Sequence, residues 1–392
     1  MHPPSNHCHY LRSAITAMAA PIWLCSSVAF AADDEAAGIA AEQAAQAAAR
    51  VGAAVKAKAA QAKLEGWEMG PFVKHPEPVL RPNPESVFDC PIMGQGIRWE
   101  EMNTYNPAAV VKDGKVHLLY RADGRNPACA WGRICRIGLA VSDDGIHFTR
   151  RPEPVLYPAN DEFKPYEWAG GCEDLHVIEG EDGVYYMNYT THTGQHLGIK
   201  DTMSIATSRD LVHWTKHGPA FRKHDPDKVN GSRSGVVVSR RVGDKLIAAK
   251  IGGRYWMFYT HGCAMAWSED LINWHATGKA GWPRGAEAGA IALLRDDGIL
   301  LMAQTGAGPL GGWTLWQQLH DRADLATKQL PNNGILKEQQ EPFLWPEYEW
   351  EIKGMTGYTT VSNALVPFKG KWFLYYGGAD TVTGVATCPI KQ

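Results

Sequence analysis

Two carboxylates define the chemistry this chain can attempt: Asp174, ending the run Gly170-GCED, and Glu287, heading Glu287-AGA. A pair of carboxyl groups across a sugar-sized pocket is the minimal equipment for breaking a glycosidic bond. One is protonated to assist the leaving oxygen, and the other activates water or attacks carbon. Both stand at the start of an apolar, strand-like run, and three other runs begin alike: Asn106-PAAVV, Arg233-Ser234-GVVVS and Asn363-ALVPF. A polar residue at one strand end ordinarily marks a turn. Five in equivalent places predict a ring of side chains around one pocket, with Glu173, Asp123 and Asp380 as further carboxylates near it. Two positions separated by one intervening repeat leave a water-sized gap, the spacing of inversion, at roughly 6.5–9.5 Å between carboxyls.

Other chemistries lack their residues. No Gly-rich phosphate cradle and no Gly-x-Ser-x-Gly elbow is present. The histidines are scattered, His213, His217 and His224 included, so no metal and no cofactor is expected. Sugar rings stack on aromatic faces. Core packing claims most of the 15 tryptophans, and Trp131, Trp168 and Trp282, placed in loops, are the ligand candidates.

The elements that position these residues repeat. A glycine followed by an aromatic-rich apolar run recurs five times: Gly114-KVHLLYRA, Gly183-VYYMNYT, Gly253-RYWMFYTH, Gly298-ILLMAQTG and Gly370-KWFLYYGG. Each is a strand led by a turn such as Lys112-Asp113-Gly114. Three are followed by Ser142-DDGIHF, Ser208-RDLVHW or Ser268-EDLINW, a tight turn whose final aromatic plugs the gap between neighbouring sheets. Five small antiparallel sheets predict an all-β, five-bladed β-propeller, the closed arrangement that leaves no long edge exposed.

The ends and the bulk composition bound the rest. Arg12 and the apolar run from Ala14 to Phe30, closed by Ala29-Phe30-Ala31, read as a cleavable signal peptide over residues 1–31. A secreted or periplasmic chain without an integral membrane segment is therefore expected. Residues 32–66 are Ala-rich and read as a helical extension, a tether or a homo-oligomer contact, ahead of a catalytic domain over 67–392. Near-balanced charge, 39 basic against 42 acidic residues, argues against a nucleic-acid partner. Cys129 and Cys135 could staple one loop in an oxidising compartment.

The chain resembles glycoside hydrolase family 130, the β-mannoside phosphorylases and β-mannosidases. The motifs are Tyr105-NPAAVVKDGKVHLLYRA, Arg136-IGLAVSDDGIHFTR, Gly170-GCED, Ala206-TSRDLVHWTKHGPAF, Lys250-IGGRYWM and Lys371-WFLYYGGAD. The resemblance implies a five-bladed propeller acting on an oligosaccharide, with Asp174 as general acid. It also implies Asn106 and Arg121 in the sugar site, with Glu287 as the base of hydrolase-like members. His176, Arg233, Lys250 and Asn363 complete the expected substrate-binding set. The family motif continues Glu-Asp-Pro-Arg where this chain has Leu175-His176, Met203 replaces a further arginine, and Asn363 stands where hydrolase-like members often carry glutamate. Hydrolysis of β-mannosides with inversion is the expectation. Phosphorolysis with inorganic phosphate, a furanosidase and a non-catalytic glycan-binding propeller are the alternatives.

Overall fold

The computed structural model describes residues 64–194, 201–259, 264–279, 287–306, 311–323 and 334–391. The export signal, nearly all of the Ala-rich extension, Cys263 and Trp282 lie outside them. The described chain is all-β, with one-turn α-helices at Lys164–Glu167 and Glu349–Ile352. Among the described residues no helix is long and apolar enough to cross a membrane.

Four of the polar-headed runs pair antiparallel with the glycine-led run that follows, as in Asn103–Lys112 with Lys115–Arg125 and Thr360–Phe368 with Lys371–Gly378. The turns dictate this register. Asp113 and Gly114 both have positive φ (51° and 71°), as do Lys369 and Gly370, the two-residue hairpin geometry that matches strand twist. The third group is built differently. Its inner strand Gly235–Val242 gives its first half to Arg254–Tyr259 and its second half to an inserted strand, Lys245–Ala248. In the last group the N-terminal strand Val73–Lys74 pairs with Val382–Pro389, so the two ends of the described chain share one sheet.

The strands fall into five successive antiparallel groups whose inner strands contact one another in a ring. Parallel bridges such as Val238 to Ala292 join neighbouring groups. Alternation decides the core: successive side chains of a strand face opposite neighbours. Leu118 and Tyr120 pack with Val366 and Phe368 of the last group, whereas Leu119 packs with Val177 and Met187 of the second. Val237 joins Ile178 and Ile205, while Val236 and Val238 join Leu301 and Trp316. A fifth cluster, with Leu293, Leu365 and Tyr376, completes the circle. Each fully buried aliphatic or aromatic side chain contributes about 1.5–3 kcal/mol, so the seams between groups carry the stability.

The predicted turn-and-plug element is present. Asp210 Oδ1 accepts from the backbone N–H of Val212 (2.9 Å) and His213 (2.8 Å), and Ser208 Oγ accepts from Leu211. Trp274, ending the third copy, is buried in the cluster between the second and third groups. The Cys129–Cys135 staple that the sequence allows does not form, and the five described cysteines are all buried and free. Cys135 instead faces the carboxylate of Glu173, its Sγ 3.8 Å from Oε2, while Cys129 sits against Gly194.

Candidate active site

The inner strands reach the pocket through matched irregularities. The ladder breaks between Tyr105 and Ala108, between Glu173 and His176, between Ala288 and Ile291, and between Val361 and Ala364. A bulge bends a strand and re-aims its side chains. Asn106, Asp174 and Asn363 lie within these bulges, and Glu287 lies just ahead of one. Asn106 and Asp174 also take left-handed φ values, 43° and 45°, and Ser234 does so at the head of the third inner strand. Such conformations cost about 1–3 kcal/mol each and persist only where the surroundings enforce them.

The result is a pocket of about 170 Å³, lined by Asn106, Arg121, Asp174, Arg233, Glu287, Asn363 and Asp380 from the predicted set. Asp174 Oδ1 accepts from Asn106 Nδ2 (2.9 Å) and Arg121 Nη1 (3.0 Å), and Oδ2 accepts from Arg233 Nη2. The same Arg233 donates from Nη1 to Asp201 Oδ2 (2.9 Å), and its Nε lies 3.8 Å from Glu287 Oε1. One guanidinium thus meets Asp174 and lies near Glu287, which brings both carboxylates to the same cation.

Burial and charge pull the acids apart. Burial alone would raise Asp174, but Arg121 and Arg233, with the bonds from Asn106 and Arg121, outweigh it and hold the carboxyl well below the usual range. Its neighbour Glu173 is pushed up to about 7 by burial, which the ion pair to Arg121 at 2.6 Å offsets only in part. Asp380 is raised to about 6, again by burial, and its Oδ1 meets no hydrogen-bond partner among the described residues. Asn106 Oδ1 is likewise buried without one. Unpartnered oxygens in a polar pocket suit a ligand rich in hydroxyl groups.

Not every predicted residue lines the pocket. Asp123 and Glu173 stand behind it. Asp123 accepts from Asn103, Tyr105 and Arg121 and so props the guanidinium that holds Asp174. His176 lies lower, in the space enclosed by the inner strands. Lys250 is an exception to the prediction: it is exposed on a short strand away from the pocket, with its ammonium 4.8 Å from the centre of the Tyr255 ring. Met203 is buried in the core between the second and third groups, so no cation enters from that position. Trp131 is 40% exposed and stacks on His192, with ring centres 3.9 Å apart.

Sequence reasoning missed Gln304, Trp313 and Val361, which also line the pocket. Gln304 comes opposite Glu287 only through the register shift between Ala288 and Ile291, which the turn before Gly298 does not announce. Trp313 carried no repeat signal. Among the described residues no cluster of three or more His, Cys, Asp or Glu side chains could hold a metal ion.

Comparison with known proteins agrees on the class of chemistry. The Glyco_hydro_130 model, described as beta-1,4-mannooligosaccharide phosphorylase, matches residues 74–282. A 1,2-beta-oligomannan phosphorylase of Thermoanaerobacter sp. (strain X514) is 28% identical over 331 residues, covering 81% of this chain and 96% of that protein. A solved structure from the GH130 mannoside phosphorylases is 34% identical, covering 84% of this chain and 97% of its own, with a TM-score of 0.77. That family is described with it as containing glycoside hydrolases that target beta-1,2 mannosidic linkages in Candida mannan. A glycosyl hydrolase from Bacteroides ovatus is 34% identical, with a TM-score of 0.76 over 84% of this chain and 98% of its own.

Proposed function

This chain belongs to glycoside hydrolase family 130, and from that premise we propose that it breaks β-mannosidic bonds of manno-oligosaccharides at the pocket centred on Asp174. The observation that carries the reading is Asp174 and Glu287 gathered in one pocket at the same guanidinium, Arg233, near the heads of two inner strands. Asn106 and Arg121 hold the glycone, and the five strand groups are read as the blades of a propeller around it. Two carboxylates in one pocket on a family 130 scaffold are read as serving inversion, in which the acceptor attacks from the face opposite the leaving oxygen. Arg121 and Arg233 hold Asp174 towards its ionised form, so the proton for the leaving oxygen belongs to the Glu173–Asp174 pair as a unit. A substrate hydroxyl between Asp174 and the glycosidic oxygen is one route for it.

On the identity of the acceptor, the relatives with named activities weigh for phosphate. The Thermoanaerobacter and Listeria innocua proteins, 24–29% identical to this chain, are all phosphorylases. Phosphorolysis is accordingly better supported than the hydrolysis expected from sequence. Hydrolysis stays as a second reading because of one feature: Glu287 and Asp380 put two carboxylates beside Asp174 in the pocket, and each repels phosphate. The test is incubation with β-1,2- and β-1,4-linked manno-oligosaccharides, with and without phosphate. Mannose 1-phosphate formed only with phosphate supports the first reading, and mannose released without phosphate supports the second. Neither product, with binding seen by calorimetry, would leave a glycan-binding protein. Export through the N-terminal segment is part of the proposal. It rests on Arg12 and the apolar run, and signal cleavage near Ala32 in a secreted preparation tests it.

A further inference from the structure

Among the described tryptophans, tyrosines and phenylalanines, Trp131 alone is exposed. It stands in the loop 126–132, which joins the strand Lys115–Arg125 to Arg133–Ser142. The proposed reaction has no part for it. The loop is nevertheless firmly built. The Asn126 N–H donates to the Gly132 carbonyl (2.9 Å), and the Gly132 N–H to that of Cys129 (2.8 Å). Asn126 Nδ2 donates to the Ala169 carbonyl (2.9 Å), and the Ala130 N–H to that of Gly194 (2.8 Å), which fastens the loop to the second strand group.

The indole is held as firmly as its loop. It lies on the His192 ring, with planes 27° apart. His192 is itself buried, and its Nδ1 accepts from the Gly194 N–H (3.0 Å). It is wedged over Gly170, where a Cβ would come within 2.2 Å of Nδ1. With one face covered by His192, the solvent-exposed part of Trp131 is its other face. An aromatic ring already held still asks little further ordering of a ligand that stacks on it.

Two chains of contacts tie this platform to the pocket. Arg133, 5.6 Å from the centre of the Trp131 ring, lies 3.3 Å from Asp123, which in turn props Arg121 (3.4 Å). His192 Nε2 lies 3.8 Å from Asp201 Oδ1, and Asp201 Oδ2 accepts from Arg233. Arg121 and Arg233 both end on Asp174. The platform therefore belongs to the Asp174 side of the mouth.

We infer that Trp131 is the platform for the leaving sugar, and that it selects substrates carrying a full sugar ring beyond the scissile bond. The inference rests on the proposed bond cleavage, because a general acid lies on the leaving-group side of that bond. The leaving mannose lays its C–H face on the indole. Its hydroxyls meet Asp201 and Arg133, both partly open to solvent at the platform's edge.

The test compares β-linked mannotriose with β-mannosyl fluoride, whose leaving atom is too small to reach the platform. Trp131→Ala should raise KM for the trisaccharide about tenfold, with kcat and both constants for the fluoride within about twofold. Trp131→Phe, which restores an aromatic face, should recover most of the loss. A parental KM for the trisaccharide, or equal losses on both substrates, would overturn the inference. If the variants do not fold, the parent alone decides. Oxidation of Trp131 by N-bromosuccinimide, located by mass spectrometry, should be suppressed when mannotriose saturates the protein, and no protection overturns the platform. If the parent cleaves no mannoside, the proposed function fails, and the same protection still decides whether Trp131 holds a glycan.

Discussion

Asp380→Asn isolates the cost of keeping a carboxylate at the pocket. The side chain is half-buried, and burial raises its carboxyl from an ordinary 3.8 to about 6. A carboxyl raised on folding favours the folded state only in its neutral form. The stability it lends is complete below the unfolded value, declines between pH 4 and 6, and is gone above the folded one. At 1.36 kcal/mol per tenfold change in proton affinity, the shift corresponds to about 3 kcal/mol at pH 8, and solvent screening at the pocket mouth reduces this to about 1–2 kcal/mol. Asparagine has the same shape and no charge to bury. The variant should therefore be more stable than the parent by about 1–2 kcal/mol at pH 8 and equal to it at pH 4, with Tm at pH 8 higher by about 2 °C or more. Urea titrations of both proteins between pH 4 and 8 measure this directly. An offset of the same size at every pH would refute the reasoning, since a lost contact costs the same whatever the proton concentration.

The remaining predictions bear on the reaction and the packing. Asp174→Asn keeps an acceptor oxygen for Asn106 and Arg121, turns an NH2 donor towards Arg233 and has no proton to give, so kcat should fall about 10²–10⁴-fold. Glu287→Gln removes a negative charge from the pocket; the KM for phosphate should fall in phosphorolysis assays, whereas loss of all turnover without phosphate would favour the hydrolytic reading. Arg233→Met strips Asp174 of one of its two guanidiniums, and the acidic limb of the pH–rate profile should move up by about 1–3 pH units. Gly138→Ala drives a methyl group into the Tyr120 ring at a packed seam, and a loss of about 1–3 kcal/mol should appear in the urea midpoint.

Much of this architecture is determined by the sequence alone, because its causes are local. Asp113-Gly114 and Lys369-Gly370 can close two-residue hairpins, and that closure dictates which residues face each other along the strands. The Ser-x-Asp turns hold their own backbone N–H groups, so their ends and the aromatic plugs that follow are readable from a few residues. Hence Asn106, Asp174, Glu287 and Asn363 could be named as one ring from their places at strand heads.

Only the tertiary structure decided what those residues do to one another. The bulges that aim Asn106, Asp174 and Asn363 inward depend on two strands paired out of step, which no single strand encodes. Arg233 bridging Asp174, Asp201 and Glu287 joins residues far apart in the chain, and their proton affinities follow from that meeting rather than from residue type. The free cysteines, the outlying Lys250, and Val73–Lys74 completing the last sheet were equally hidden. Each depends on which strand packs beside which, a contact between segments whose separation in sequence carries no local signal. The paired carboxylates belong to this second kind: the sequence names Asp174 and Glu287, and the closed ring of strands brings both to one guanidinium.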